Sequence, residues 1–487
     1  MAPDRQSGSE SASLAESVLR AGADDGPELG EDRYEALSPV DYRYAEETLR
    51  PFLSENAFTR YKAAVEVALV ETSAEHGLCP PEVAEEIAEA AKEVRTSEVY
   101  RREREITKHD IRALADEIRD RVSDEAKPFV HRMATSYDIV DTANAARFRD
   151  AAVEVVLPEL VRTHGVVLDL TERYADQRQI GRTHGQHAVP ITFGFAMAEY
   201  ADRLGNAIRE LQGRAGELRG KFSGAVGAYN ASSLFVEDPQ AFERDVLAKL
   251  GLESAGHATQ IVPPEHQTRF LYSVMEAGAV LANLADDMRH LQRSEIGEVG
   301  EPFAEGQAGS STMTQKRNPI NFENTSSMGR ELVARFVGAM LDLRSEHQRD
   351  LTGSASGRTR GEMLVYLTGM AKRMRRTMGK LQVDEANMER NLEMSRGAIM
   401  GEPVYLLLAA AGHPDAYEKS KQLTLQAEDS EEDFFAIVER DPEVQEYFAD
   451  LTDDQKGILR DPTKYTGLAA DKARERVAYW RSAYRVS

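Results

Sequence analysis

Between Met197 and Phe222, apolar residues recur at alternating steps of four and three: Met197, Ala201, Leu204, Ile208, Leu211, Ala215, Leu218 and Phe222. Such a heptad seam runs down one side of a helix and needs a partner along its whole length. Val274, Ala277, Leu281, Leu284, Met288 and Leu291 repeat it after a Pro263-Pro264 break, and Leu332, Phe336, Ala339 and Leu343 carry it once more. Nothing alternates with period two for long, so strands are expected to be scarce. The fold class these seams predict is all-α, centred on a bundle of very long helices.

The 487 residues give room for about three domains. A formal charge of −23, from 83 acidic against 60 basic residues, argues against nucleic acid or an anionic membrane as partner. The same excess suits high salt, where screening removes the self-repulsion, and suggests a halophilic setting. The single cysteine, Cys79, excludes an intrachain disulfide framework and a multi-cysteine zinc site. With no apolar run of spanning length and no signal-peptide pattern, a cytoplasmic protein is expected.

Residues 1–36 read as a disordered acidic leader, with a short amphipathic helix possible at Leu14–Leu19. An N-terminal helical domain is expected over 37–143, including helices over 55–76 and 81–94. A central long-helix domain follows over 144–400. Its first helix is expected to reach residue 179, kinked at Pro158. Residues 181–187 then read as a turn. A smaller helical domain covers 401–487, punctuated by His413-Pro414, Asp441-Pro442 and Asp461-Pro462.

Four polar islands interrupt this helical pattern: Lys108–Asp110, Thr135–Asp138, Arg182–His187 and Gly309–Glu323. Lys, Arg, His and Asp are poor core residues unless paired. Each island is expected at or near a helix end, where free backbone N–H groups favour anions. The last, GSSTMTQKRNPINFE, is a non-periodic loop with two serines, a lysine, an arginine and two asparagines. Phosphate-loop, dinucleotide and serine-hydrolase motifs are absent. His184 and His187 stand three apart, but in a glycine-broken turn without acidic neighbours, a poor metal pattern.

The loop G-S-S-T-M-x-x-K-R-N-P-x-x-x-E resembles the signature of the fumarase/aspartase superfamily of β-eliminating lyases. Lys108-His109-Asp110, Thr135-Ser136-x-Asp138, Gly181-Arg-Thr-His-Gly-x-His187, Lys221-Phe-Ser-Gly-Ala-Val-Gly227 and Ser38-Pro-Val-Asp-x-Arg43-Tyr44 resemble its adenylosuccinate lyase branch. The resemblance implies fumarate release from adenylosuccinate and from the succinylated aminoimidazole carboxamide ribotide of purine biosynthesis, by a homotetramer with shared active sites. It implies no metal or organic cofactor. Ser310 would be the base and His184 the general acid, with Glu323 as its charge partner. Lys316 and Asn318 would lower the serine's pKa and hold the growing carboxylate charge, and His109 would assist at the phosphate or leaving-group end. Thr135, Ser136 and Thr183 would bind the succinyl carboxylates, and Gln260 the base or linker. Lys108 and Asp110 join the substrate-binding set. Arg43, Tyr44, Arg349, Ser354 and Arg358 would meet the phosphate, as arginine forks do. Thr314 stands where the family has proline, and Gly353, Ala355 and Gly357 where it has His, Ser and Glu. Two alternatives stay open: a sister lyase of the argininosuccinate lyase or carboxymuconate cycloisomerase type, and a non-catalytic structural homologue.

Overall fold

The computed structural model describes residues 13–20, 37–303, 312–313, 315–430 and 432–483. The described chain is dominated by helices, with only three small two-stranded sheets. The longest helices are Phe193–Gly216, Glu265–Leu291, Ile320–Leu341 and Ser354–Met378. The all-α expectation holds, and none of these helices is long and apolar enough to cross a membrane.

The seams form the core as expected. Every seam residue from Met197 to Phe222 is buried, as are Val274, Ala277, Leu281, Leu284 and Met288. In the third seam Leu332, Phe336 and Ala339 are buried, but Leu343 is 39% exposed. Leu343 lies past the helix end at Leu341, so the stripe no longer continues through it.

By contact the chain divides into two compact units, each assembled from three separate stretches. The first comprises Met1–Val161, Asn206–Leu281 and Ser327–Lys372. Here the Glu55–Glu75 helix is the hub, packing against Leu14–Arg20, Pro81–Lys92 and Ser136–Ala151. The expected leader helix is therefore seated, with Ala15 and Val18 fully buried. The rest of the leader lies outside the described residues. The second unit comprises Arg162–Gly205, Ala282–Ser326 and Arg373–Ser487. Within it, residues from Met400 to Leu459 share a core built on Met400, Val404, Leu408, Phe434 and Val444.

The expected helix over 144–179 needs correction. The first helix runs Ser136–Ala151, passes through a π-turn at Ala152–Val156, and resumes as Leu157–Arg173. The widened turn falls just before Pro158, which has no N–H to give the regular ladder. Beyond Arg173 the chain is not helical. Arg178–Thr183 and Gln186–Thr192 form an antiparallel hairpin. The expected turn over 181–187 is thus mostly strand, and only His184 and Gly185 make the bend. Their φ values of 54° and 75° are those of a two-residue hairpin turn. Ile180, Val189, Ile191 and Thr192 supply the β-branched residues that suit a pleated pair. A register shift falls between Ile180 and Arg182, at Gly181. A Cβ on Gly181 would lie 2.6 Å from the Val189 carbonyl oxygen, so the strands approach there only because it is glycine.

Candidate active site

In the first unit, two islands meet at helix N-termini. His109 caps the Asp110–Arg119 helix, its Nδ1 accepting from the Arg112 N–H at 3.3 Å. Its Nε2 lies 3.3 Å from the Ser136 hydroxyl. Lys108, before it, has φ 53° and turns its ammonium onto the Arg104 carbonyl. Thr135 caps the Ser136–Ala151 helix through a capping box with Asp138.

The Asp138 carboxylate is the buried anchor of this region. It accepts from the backbone N–H groups of Thr135 at 2.8 Å, Ser223 at 3.1 Å and Gly224 at 3.2 Å. It also pairs with Lys221, and both side chains are 0% exposed. Burial pushes Asp138 up, while Lys221 and the backbone donors favour the carboxylate. The KFSGAVG segment is thereby fixed to the TSYD turn.

Tyr137 is the neighbour of Ser136 on the same turn. The Arg349 guanidinium stacks on its ring, Cζ 3.4 Å from the centroid, and Nη2 donates to its hydroxyl. Four residues on, Asp141 accepts from the Val262 N–H at 2.8 Å, two residues after Gln260. Burial raises the Asp141 carboxyl to about 6, although Lys221, Arg360 and Arg349 pull the other way. Arg358 is exposed and hydrogen-bonds the Tyr100 hydroxyl, which donates to Glu55 at 2.6 Å. Ser354 opens the Ser354–Met378 helix. Arg43 is exposed, and the Tyr44 ring lies 5.6 Å from that of Tyr366.

His131 is a feature of this unit that periodicity and composition did not assign a role. It takes φ 60°, and its Nδ1 lies 2.6 Å from the Glu66 carboxylate. Burial pulls this imidazole down, but the charge and hydrogen bond of Glu66 outweigh it, and the net shift is upward. The one available signal was a histidine four residues before the Thr135-Ser136 pair.

In the second unit, the hairpin carries Thr183 and His184 at its exposed tip. Its base is held by Glu298, which is completely buried. Glu298 accepts from Arg182 at 2.5 and 3.2 Å, from Gln179 at 2.7 Å and from Asn391 at 2.8 Å. Arg182 is therefore a strut for the tip. His187, on the return strand, is held below its ordinary value by burial and by Arg182.

The polar loop leads into the Ile320–Leu341 helix. Glu301 fastens its exit, accepting from the Phe322 N–H at 2.8 Å and from Asn321 at 2.7 Å. Arg373 donates to Asn321 at 2.9 Å. Lys316 is exposed and forms no ion pair among the described residues. Asn318 is half-buried. Ser310 and Thr314 lie outside the described residues. Glu323 is exposed, and no hydrogen bond or ion pair joins it to His184.

Residues 36–334 match the Lyase family, and residues 345–455 match the family described as adenylosuccinate lyase C-terminal. The adenylosuccinate lyase of Pyrococcus horikoshii is 35% identical over 450 residues, covering 91% of this chain and 98% of its own. The chain belongs to the adenylosuccinate lyase family. The adenylosuccinate lyase of Archaeoglobus fulgidus is 34% identical over 455 residues, with 91% and 98% covered. The solved 3-carboxy-cis,cis-muconate lactonizing enzyme of Pseudomonas putida superposes with a TM-score of 0.79. At 22% identity, over 91% of this chain and 99% of that one, it supports the fold. Against this adenylosuccinate lyase background, the first unit holds the groups expected at the phosphate, together with Thr135 and Ser136. The other holds the hairpin tip and the signature loop.

Proposed function

We propose that the protein eliminates fumarate from adenylosuccinate, giving AMP, and from the succinylated aminoimidazole carboxamide ribotide. The observation that carries this reading is the near-whole-length match to adenylosuccinate lyases, continued by the matching C-terminal segment. The chemistry needs a base for a weak C–H acid, stabilisation of a doubly charged aci-carboxylate, and an acid for the leaving nitrogen. Ser310 removes the proton, the C–N bond breaks, and His184 protonates the departing nitrogen. Lys316 and Asn318 hold the carboxylate on which charge accumulates. The exposure of His184 at the hairpin tip, and of Lys316 with no ion pair among the described residues, supports these roles, since both groups are open to a substrate. Glu323 supports His184 in the assembled site. His109, touching Ser136, serves the substrate side with Lys108, Asp110, Thr135 and Thr183. Arg43, Tyr44, Arg349, Ser354 and Arg358 take the phosphate, and Gln260 the base.

The assembly is a homotetramer with shared sites. On the Ile320–Leu341 helix, Val333, Val337, Met340 and Leu341 are 49%, 50%, 51% and 66% exposed. Their spacing makes one exposed apolar stripe, which supports a helical subunit contact. The proposed C-terminal domain starting near residue 400 is supported by the core shared by residues from Met400 to Leu459, whereas the Ser136–Ala151 helix runs through the proposed boundary at 143. A cytoplasmic, halophilic setting fits the charge of −23. The test is fumarate release from adenylosuccinate by the purified protein, in low salt and in molar potassium chloride. Release is expected, favoured by salt and abolished by Ser310→Ala with the tetramer intact. No release from the folded tetramer in either buffer would overturn the substrate assignment in favour of a sister lyase, and near-normal turnover by Ser310→Ala would remove the base.

A further inference from the structure

Two loops of the first unit are tied to the first turns of the Ser136–Ala151 helix, and to each other. Tyr137 holds Arg349 by ring and hydroxyl. Asp141 accepts the Val262 N–H at 2.8 Å. Between the loops, the Thr259 hydroxyl donates to the Gln348 carbonyl at 2.9 Å. The circuit closes through Thr259 and Val262, which flank Gln260, on one side and through Arg349 itself on the other.

We propose that Tyr137 is a positioning residue for Arg349, holding its guanidinium at the phosphate end of the substrate. This rests on the reading of Arg349 as a phosphate ligand. Arg349 lies on a non-helical segment before Ser354 and makes no ion pair among the described residues. A long side chain there would lose much rotamer freedom on binding an anion. Tyr137 removes that freedom beforehand without neutralising the charge, which a carboxylate partner would do. Only one N–H, on Nη2, is engaged with Tyr137, so four of the five guanidinium N–H donors remain for phosphate oxygens. The cation over the ring is fixed in plane and direction, which a bidentate contact requires. The Gln348–Thr259 bond then sets the spacing between Arg349 and the Gln260 loop, so phosphate and base are gauged against one helix.

The test compares wild type, Tyr137→Phe and Tyr137→Leu on adenylosuccinate and on the same compound without its phosphate, with binding of AMP to each protein measured by calorimetry. Tyr137→Leu is expected to raise KM for the phosphorylated substrate about tenfold, with kcat held within about twofold. Tyr137→Phe keeps the ring and is expected to lose about threefold. On the dephosphorylated compound neither variant should differ from wild type, and AMP affinity should fall in parallel with KM. Equal losses on both substrates, or unchanged AMP affinity in a folded Tyr137→Leu tetramer, would overturn the positioning role. Wild type that turns over both compounds alike and does not bind AMP would instead overturn the phosphate reading beneath it. Circular dichroism and melting of Tyr137→Phe guard against a folding defect, since that variant removes one oxygen only.

Discussion

Asp138→Asn removes the negative charge from the most deeply buried ion pair of the first unit. Lys221 and Asp138 are both 0% exposed, so no water can take over the role of the lost partner. Breaking a pair of this kind from one side costs about 3–5 kcal/mol, most of it the burden of the stranded charge. The asparagine must also turn its amide nitrogen either toward Lys221 and the N–H groups of Ser223 and Gly224, or toward that of Thr135. The second choice is cheaper and gives up half the capping box, adding about 1 kcal/mol. Lys221 retains the Gly224 carbonyl at 3.1 Å, which keeps the total near the middle of the range, about 4 kcal/mol. The assay is urea unfolding followed by circular dichroism, on Asp138→Asn, Lys221→Met and the double variant. Methionine matches the lysine stem in length and removes the stranded charge, so the double variant should recover at least about 2 kcal/mol relative to Asp138→Asn. A double variant no more stable than Asp138→Asn, or a single loss below about 1 kcal/mol, would refute the reasoning.

Asp141 gives a pH test with a definite sign. Its folded pKa of about 6 lies above the ordinary 3.8, so the folded state binds the extra proton between those values. Its contribution to stability is therefore fully present below about pH 4 and is lost as pH rises through 6. Asp141→Asn keeps an acceptor for the Val262 N–H and should melt higher than wild type at pH 8. The gain should shrink at pH 5; a gain independent of pH would contradict the assignment. In the second unit, Gly181→Ala places a Cβ 2.6 Å from the Val189 oxygen and should cost about 1–3 kcal/mol in the hairpin. Faster amide exchange over 178–192 and a reduced fumarate kcat are expected together, because His184 sits three residues on. Unchanged exchange would show that the bulge tolerates a side chain.

The heptad seams were legible because burial along a long helix repeats every three or four residues, and Met197 to Phe222 proved buried throughout. The islands were legible because charged residues break that repeat. His109 and Ser136 do meet, at helix N-termini as expected. The hairpin was not legible. Its strands are six and seven residues long, too short for a period of two to stand out beside helices of more than twenty. Partnerships across great sequence distance were also hidden. Asp138 and Lys221 are 83 positions apart, and Tyr137 and Arg349 are 212 apart. Glu298 carried no signal at all, since one glutamate in an acidic chain looks like any other until three donors surround it.

The division of the chain into interleaved stretches bears on how the protein is made. The first unit is not complete until Lys372 has been synthesised, and the second not until the last stretch, Arg373–Ser487, is present. At about 5–20 residues per second, translation reaches residue 372 only after roughly 20–75 s. The early helices, with Leu14–Arg20 against Glu55–Glu75 and Pro81–Lys92, can meet as soon as they emerge. Parts of the Phe193–Gly216 and Glu265–Leu291 helices must wait for partners still to be made, since Gly205 closes on Trp480 and Gly278 on Leu332. For that interval the nascent chain carries uncovered seams, and its demand for chaperone cover at the ribosome follows directly from the order in which its helices are threaded.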